Sequence, residues 1–283
     1  MMHTFGIVGF GTIGKLYADV LQRFPTCRVA AIADPEPSAA MTDEVGNIII
    51  ATPPSTHAAI AAQALSRGKN VLLEKPPARS VREAESLIAL AREAGRTLFF
   101  GFHARYNVAV QRAAVELRNR PVQSFHATYR ENVRKYHTNE WVFREGVLRD
   151  SGINVLSILT AVLPRPDRMQ VTGSDLLHSA ELDADTGAKV TFKEPQGVLE
   201  MDWLTPGTEA RHVDIKTASG NFRIDIVTDT LYLNEQLIVT DNRTESLDRE
   251  YTRMVADFIQ HIEDATSCAS TNELRLLEQI YSC

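Results

Sequence analysis

The glycine-rich turn near the start of the chain constrains its fold most. An apolar run at residues 4–8 leads directly into Gly-Phe-Gly-Thr-Ile-Gly, and residues 15–21 continue with helical spacing. Between a strand and a helix, such glycines allow a tight turn and a close backbone approach to a pyrophosphate, which binds the N–H groups at the helix start. The turn therefore predicts a Rossmann dinucleotide-binding fold whose cofactor-binding residues include Gly9, Phe10, Gly11, Thr12, Ile13 and Gly14.

An acidic residue follows the second apolar run, at residues 29–33. Asp34 stands about 20 residues beyond the last glycine of the turn, where a carboxylate accepts hydrogen bonds from the ribose hydroxyls. The same charge repels a 2′-phosphate. We therefore predict NAD as the cofactor and Asp34 as a residue that binds it, with NADP left open as a second cofactor.

Two more apolar runs, at residues 47–51 and 70–73, end near prolines, and a helical pattern over residues 57–65 lies between them. Strands that alternate with helices form parallel sheets, which bind ligands at the carboxyl ends of their strands. Ser55 or Thr56 is the predicted cap of the intervening helix. Lys75, taken alone, could equally be a solvated loop lysine. The residues predicted to face the cofactor at these strand ends are Thr52, Pro53, Pro54, His57, Glu74 and Lys75.

The hydrophobic pattern changes from helical spacing to period two after residue 103. Alternation with intervening turns is typical of an open, mostly antiparallel sheet with one covered face. We predict an α/β protein with a Rossmann domain over residues 1–103 and a substrate-binding α+β domain over residues 104–283. A helix over residues 250–262 is expected to pack back on the first domain. The alternating runs are 125–130, 188–192, 197–203, 212–216, 222–226 and 231–233.

Residues 149–157 read Arg-Asp-Ser-Gly-Ile-Asn-Val-Leu-Ser. If this segment is helical, Asp150 and Asn154 are four residues apart and lie on one face. Burying a carboxylate and an amide among apolar neighbours costs free energy unless both are hydrogen-bonded. The pair is therefore a candidate functional site.

Four features, in this order, resemble the glucose–fructose oxidoreductase and inositol dehydrogenase (Gfo/Idh/MocA) family: Gly-Phe-Gly-Thr-Ile-Gly, Asp34, Ala-Thr-Pro-Pro-Ser-Thr-His and Leu-Leu-Glu-Lys-Pro-Pro. The resemblance covers nearly the whole chain and implies that Lys75 reaches the nicotinamide and the substrate. The family usually has a further strand and helix where this chain has only residues 35–46. Either the sheet is trimmed here or a loop is missing.

Asn154 stands where the family usually has a histidine, and it has no proton to titrate near neutral pH. Asp-Ser-Gly-Ile-Asn, together with Arg-Glu-Asn-Val-Arg-Lys-Tyr-His at 130–137, resembles the aldose 1-dehydrogenase branch, the L-arabinose and D-galactose enzymes. This resemblance implies oxidation of an aldose at C1 to the aldonolactone, with hydride transfer to the nicotinamide. Asp150 is the expected base, and Lys75 and Asn154 are expected to assist it.

Three more residues are candidates for binding the sugar, beside Lys75, Asp150 and Asn154. His103 and Glu131 offer groups that bind hydroxyls, and Tyr136 offers a ring that could stack on the sugar. Each has an alternative: His103 as a hydrogen-bonded residue at a strand end, Glu131 in a surface ion pair with Arg130 or Arg134, and Tyr136 as ordinary core. Trp141 and Trp203 are expected to pack.

Composition limits the partners. A net charge of −6 argues against nucleic acid or an anionic membrane, and no apolar run approaches the ~20 residues that span a bilayer. Three sparse cysteines and no signal-peptide pattern indicate a cytoplasmic protein, and the histidines show no metal-ligand spacing. We expect a small-molecule sugar as the partner and a possible homodimer through the open second sheet. The alternatives are an inositol or sugar ring-hydroxyl dehydrogenase, and a non-catalytic NAD(P)-binding sensor.

Overall fold

The computed structural model describes residues 2–135, 140–240 and 246–283, except for the side chains of Glu140, Trp141 and Ser246. Tyr136 therefore lies outside the described residues. The chain divides into two compact units. The first consists of Met1–His103 and Leu247–Thr271, and the second of Ala104–Ser246 and Asn272–Cys283.

The first unit contains a five-stranded sheet in the order β2-β1-β3-β4-β5, and all of its strand pairs are parallel. Every residue of β3 is buried, as expected for a strand covered on both faces. The predicted Rossmann fold is confirmed. The strands are β1 (His3–Val8), β2 (Cys27–Ala33), β3 (Asn47–Ile50), β4 (Asn70–Glu74) and β5 (Leu98–Gly101).

Three helices connect these strands: α1 (Thr12–Leu21), α2 (Pro54–Ser66) and α3 (Val81–Ala94). The cap predicted for α2 is wrong, because the helix begins at Pro54 and no side chain caps it. Proline suits the first helical position, where its missing N–H would have no partner in the helix. Thr56 instead donates its hydroxyl to the carbonyl of Pro53 at 2.8 Å.

Residues 35–46 form no strand, so β2 is the edge of the sheet. A 3₁₀ turn at Pro37–Ala40 follows β2 instead. Ala40 is fully buried, and a Cβ atom on Gly6 would lie 2.5 Å from its carbonyl oxygen. The sheet is trimmed at this edge, and the short connection packs directly on β1.

The second unit contains an eight-stranded sheet in the order β13-β12-β11-β10-β6-β9-β8-β7. Only the β6–β9 pair is parallel among its ladders, so the predicted mostly antiparallel sheet is confirmed. The alternation pattern did not predict β7 and β13. The strands are β6 (Val122–Arg130), β7 (Gln170–Ser179), β8 (Ala184–Lys193), β9 (Gln196–Asp202), β10 (Ala210–Thr217), β11 (Gly220–Asp225), β12 (Thr230–Leu233) and β13 (Gln236–Thr240).

The remaining helices are α4 (Val108–Leu117), α5 (Glu140–Val147), α6 (Ile153–Val162), α7 (Ser246–Glu263) and α8 (Asn272–Ser282). In the second unit, α4 packs on β11 and β12, α5 on β8, and α8 on β7, while α6 packs on α4 and α8. From Leu247 onward α7 belongs to the first unit. None of the helices in the described ranges is long and apolar enough to cross a membrane.

Candidate active site

The turn between β1 and α1 requires glycine at two positions. Gly9 has a φ of +88°, and a Cβ atom there would lie 2.6 Å from the carbonyl oxygen of Ala51. A Cβ atom on Gly14 would lie 2.0 Å from the carbonyl oxygen of Gly9. Gly11 differs, because a Cβ atom there would meet nothing within 4 Å. The backbone is therefore tightly packed on the protein side and open on the side where a ligand would approach.

The start of α1 fits a pyrophosphate. Gly11 precedes the helix, no side chain caps it, and no acidic residue occurs in its first turn. The N–H groups of the first turn lack intrahelical acceptors, and the helix dipole makes this end positive. Thr12 and Ile13 thus present backbone donors that suit the phosphates of NAD.

Asp34 is tied to the glycine turn. The backbone N–H of Phe10 donates to Asp34 Oδ2 at 3.0 Å, while the side chain of Asp34 is exposed. The bond joins the end of β2 to the end of β1 and fixes the carboxylate beside the phosphate cradle. Contact of Asp34 with the adenosine ribose stays a prediction.

Two polar side chains support the carboxyl ends of β3 and β4. His57 is buried, with Nε2 2.8 Å from the carbonyl oxygen of Thr52 and Nδ1 2.9 Å from that of Pro76. Glu74 is also buried, and it accepts hydrogen bonds from the hydroxyl of Tyr17 at 2.6 Å and the backbone N–H of Lys75 at 3.0 Å. These two side chains contact the protein's own loops. Their contact with the cofactor stays a prediction, and so does the contact of Pro53, Pro54 and Lys75 with it.

His103 follows β5 and is held from two sides. Its Nδ1 lies 2.8 Å from Glu250 Oε2, and its ring stacks on Tyr251 with centroids 5.2 Å apart. This arrangement matches the alternative of a hydrogen-bonded histidine at a strand end. Contact of His103 with a sugar stays a prediction.

Asp150 lies in a π-helical turn at Leu148–Gly152, which leads directly into α6. The predicted regular helix therefore begins one turn later than its sequence pattern indicates. π turns are rare and often occur at functional sites, because their wider ring displaces side chains from regular helical positions. Asn154 follows in the first turn of α6.

A polar cluster adjoins this turn, formed by the buried side chains of Glu131, Ser151 and Trp203 and the partly buried Arg211. Ser151 donates its hydroxyl to Glu131 Oε1, and the indole N–H of Trp203 lies 3.2 Å from the same oxygen. Arg211 Nη1 lies 3.8 Å from Glu131 Oε2. Glu131 is thus in the interior, and the alternative of a surface pair with Arg130 or Arg134 is wrong.

The charges of this region act on one another. Burial raises the pKa of the Glu131 carboxyl, and the negative charge of Asp150 raises it further, whereas the Ser151 bond and the Arg211 cation oppose the shift. Burial also raises the pKa of Tyr129, which lies under the Arg211 guanidinium at 5.9 Å from the ring centroid. Asp150 therefore shares an electrostatic environment with the polar cluster.

Asn154 has an unsatisfied acceptor. Its side chain is only 9% exposed, and its Oδ1 has no hydrogen-bond partner among the residues that the structure describes. A buried carbonyl oxygen without a donor costs about 1–3 kcal/mol. A ligand hydroxyl at this position would remove that cost.

The sequence motifs did not indicate Ser151, Arg211 or Tyr129, and they predicted only a packing role for Trp203. Trp203 is indeed fully buried, but its indole N–H also belongs to the cluster. Tyr129 could have been found, because the period-two alternation of β6 leads from Tyr129 to Glu131, directly after the strand. Within the described ranges, no group of three or more His, Cys, Asp or Glu side chains is arranged to hold a metal ion.

Comparison with known proteins agrees with the Rossmann fold of the first unit. Residues 3–102 match the oxidoreductase family with an NAD-binding Rossmann fold. Galactose 1-dehydrogenase from Pseudomonas fluorescens is 27% identical over 293 residues, covering 96% of this chain and 92% of that protein. Inositol 2-dehydrogenase from Rubrobacter xylanophilus is 30% identical over 170 residues, covering 51% of this chain and 49% of that protein.

Among solved structures, a D-galactose-1-dehydrogenase protein from Rhizobium etli superposes with a TM-score of 0.88 and 26% identity. The match covers 99% of this chain and 94% of that one, so both sheets are shared. The cofactor cradle and the family match agree that the first hundred residues form an NAD-binding Rossmann fold. Over nearly its whole length the chain is similar to galactose 1-dehydrogenases.

Proposed function

We propose that the protein oxidises a free aldose at C1 to the aldonolactone and transfers the hydride to NAD. One observation carries the proposal: a buried asparagine with an unsatisfied carbonyl oxygen, Asn154, follows Asp150 at the start of α6. The similarity to galactose 1-dehydrogenase over 96% of the chain supports it.

Asp150 is the proposed base. Oxidation of a hemiacetal requires removal of the proton from the C1 hydroxyl, and a positioned carboxylate contributes on the order of 10²–10⁴-fold to the rate of such a transfer. Asn154 cannot take this proton, because a carboxamide does not titrate near neutral pH. When bound, NAD accepts the hydride from C1.

Lys75 is proposed to stabilise the negative charge that develops on O1 as the proton leaves. A fixed ammonium group directed at a developing oxyanion lowers the barrier without reorganising at the moment of reaction. Asn154 is proposed to accept a hydrogen bond from a sugar hydroxyl through Oδ1, which holds the sugar beside Asp150.

Glu131 and His103 are proposed to bind further hydroxyls. Glu131 Oε1 is occupied by Ser151 and Trp203, so a sugar hydroxyl would bind at Oε2, the oxygen nearer Arg211. For His103, the ring nitrogen opposite the Glu250 contact is the one that would bind. Stacking of the sugar on Tyr136 is proposed from the sequence alone.

A ring-hydroxyl dehydrogenase is the second candidate, favoured by the partial similarity to inositol 2-dehydrogenase. The two functions differ in product, since C1 oxidation gives a lactone that hydrolyses to an acid and ring oxidation gives a ketone. A non-catalytic NAD(P)-binding sensor would give neither product.

The test is a steady-state scan of the purified protein with NAD and NADP and five substrates: L-arabinose, D-galactose, D-xylose, D-glucose and myo-inositol. We expect nicotinamide reduction with a free aldose and recovery of the aldonate. Asp150→Asn should lower kcat by about 10²–10⁴-fold. Asp167→Asn, an exposed change in the same unit, should leave kcat unaltered. Turnover of inositol alone would overturn the proposal.

Two further proposals rest on the sequence. A homodimer through the open face of the second sheet would double the mass measured by analytical ultracentrifugation. A cytoplasmic location fits the three cysteines, all of which are free.

A further inference from the structure

His57 connects two loops of the Rossmann unit. Its ring is 1% exposed and lies between the carbonyl oxygen of Thr52, 2.8 Å from Nε2, and that of Pro76, 2.9 Å from Nδ1. Carbonyl oxygens only accept hydrogen bonds. One ring N–H therefore donates in the neutral imidazole, and both donate in the imidazolium.

The two carbonyl groups belong to the loops that follow neighbouring parallel strands. Thr52 follows β3, and Pro76 follows Lys75 at the end of β4. His57 itself lies in the first turns of α2. One buried ring thus joins a helix start to both strand ends.

The Lys75 backbone is fixed on its other side as well. Its N–H donates to Glu74 Oε2 at 3.0 Å, and Glu74 Oε1 accepts a hydrogen bond from Tyr17 at 2.6 Å. Glu74 holds the peptide group before Lys75, and His57 holds the carbonyl group of the residue after it. The start of the Lys75 side chain is therefore defined by two buried contacts.

We propose that His57 is a positioning residue that fixes Lys75 for catalysis. This role replaces the one predicted from its position in the sequence, which was to bind the cofactor. The inference rests on the catalytic role of Lys75 in the proposed function. Catalytic groups lose about 10²-fold in rate when displaced by 1 Å, so a loosened Lys75 backbone should act on kcat.

A double-mutant cycle tests the coupling. His57→Ala should lower kcat by about 10–100-fold and change the KM for the aldose by less than about threefold. In the Lys75→Ala background the same change should lower kcat by less than about threefold, because the group it positions is already absent. Independent, multiplicative losses would overturn the proposal.

The matched control is His3→Ala. His3 is also a buried histidine of the first unit and contacts Glu263 at 3.1 Å, but it lies at the amino end of β1, away from the cofactor loops. It should reduce thermal stability without lowering kcat. If His57→Ala does not fold, His57→Gln is used in its place. Its amide group can donate to one of the two carbonyl oxygens, so this variant should keep part of the wild-type kcat.

A second readout needs no substrate. The rate at which acetic anhydride modifies Lys75, followed by mass spectrometry against Lys189 as an internal reference, should change at least about threefold in His57→Ala. It should stay constant in His3→Ala. If the wild type oxidises no aldose, the proposed function fails, and this labelling decides the positioning role alone: an unchanged rate would refute it.

Discussion

The indole Nε1 of Trp203 lies 2.7 Å from the hydroxyl oxygen of Ser151, the residue directly after Asp150. The same indole N–H lies 3.2 Å from Glu131 Oε1, which also accepts the Ser151 hydroxyl. These contacts join the end of β9 to the π turn. The side chain of the residue next to the proposed base is therefore held by a fully buried aromatic donor on another element.

Replacing Trp203 by phenylalanine tests this contact. The change keeps an aromatic ring but removes the N–H, which leaves buried acceptors short of one donor. We expect the free energy of unfolding to fall by about 1–3 kcal/mol in urea denaturation. The loss should shrink when Ser151→Ala is already present, because the two residues share one network. Equal losses in both backgrounds would contradict the shared network.

Glu131 should make stability depend on pH. Its pKa is raised in the folded protein, so just above the ordinary value of about 4.3 the unfolded carboxyl ionises while the folded one stays protonated. The unfolded state then binds fewer protons, and stability falls as the pH rises from the unfolded to the folded pKa. Relative to Glu131→Gln, the wild type should lose up to about 1.4 kcal/mol per pH unit in this window.

Glu200 provides the control for that measurement. A hydrogen bond from Lys189 lowers the pKa of the Glu200 carboxyl in the folded protein. The wild type should therefore gain stability over Glu200→Gln as the pH rises from this lowered pKa to the ordinary value of the unfolded carboxyl. Urea midpoints from about pH 3 to 7 should therefore diverge in opposite directions for the two variants, below the ordinary glutamate pKa for Glu200→Gln and above it for Glu131→Gln. Parallel curves for the wild type and Glu131→Gln would show that the Glu131 pKa is not raised.

Breaking the ion pair of Arg105 with Glu273 should cost more stability than breaking a surface pair. Glu273 is fully buried and accepts hydrogen bonds from Arg105 and Thr160. Arg105→Ala leaves that carboxylate without its cation and should cost about 3–5 kcal/mol in the free energy of unfolding.

Arg223→Ala is the matched comparison, since Arg223 and its partner Asp214 are both about half exposed at 46% and 42%. It should cost no more than about 1 kcal/mol. Similar costs for the two arginines in urea unfolding would contradict the burial argument.

Asp34 should decide the choice of cofactor. Asp34→Asn removes the charge but keeps an amide oxygen that can accept the hydrogen bond from Phe10. The ratio of kcat/KM for NADP over NAD should rise about tenfold, which corresponds to about 1.4 kcal/mol of removed repulsion. Asp43→Asn, an exposed change in the same segment, should leave the ratio unchanged. A constant ratio in Asp34→Asn would assign cofactor choice to other residues.

The sequence predicted the first unit well because its signals are contiguous. The glycines, the apolar strands and Asp34 follow one another along the chain, and parallel strands place their carboxyl ends at one edge. The α2 cap was wrong because Pro54 took the first helical position. A π turn occurs around Asp150, where a regular helix was expected. The spacing of apolar residues does not predict such a turn.

The sequence by itself determined the cofactor fold, the alternating second sheet and the acidic residue in the turn before α6, since each depends on local pattern. The tertiary structure alone decided what Glu131 contacts. The parallel register of β6 with β9 pairs Arg130 with Asp202 and so brings Glu131 beside Trp203. Strand register depends on long-range packing, and the partners of a buried polar group are therefore set only when the whole sheet has formed.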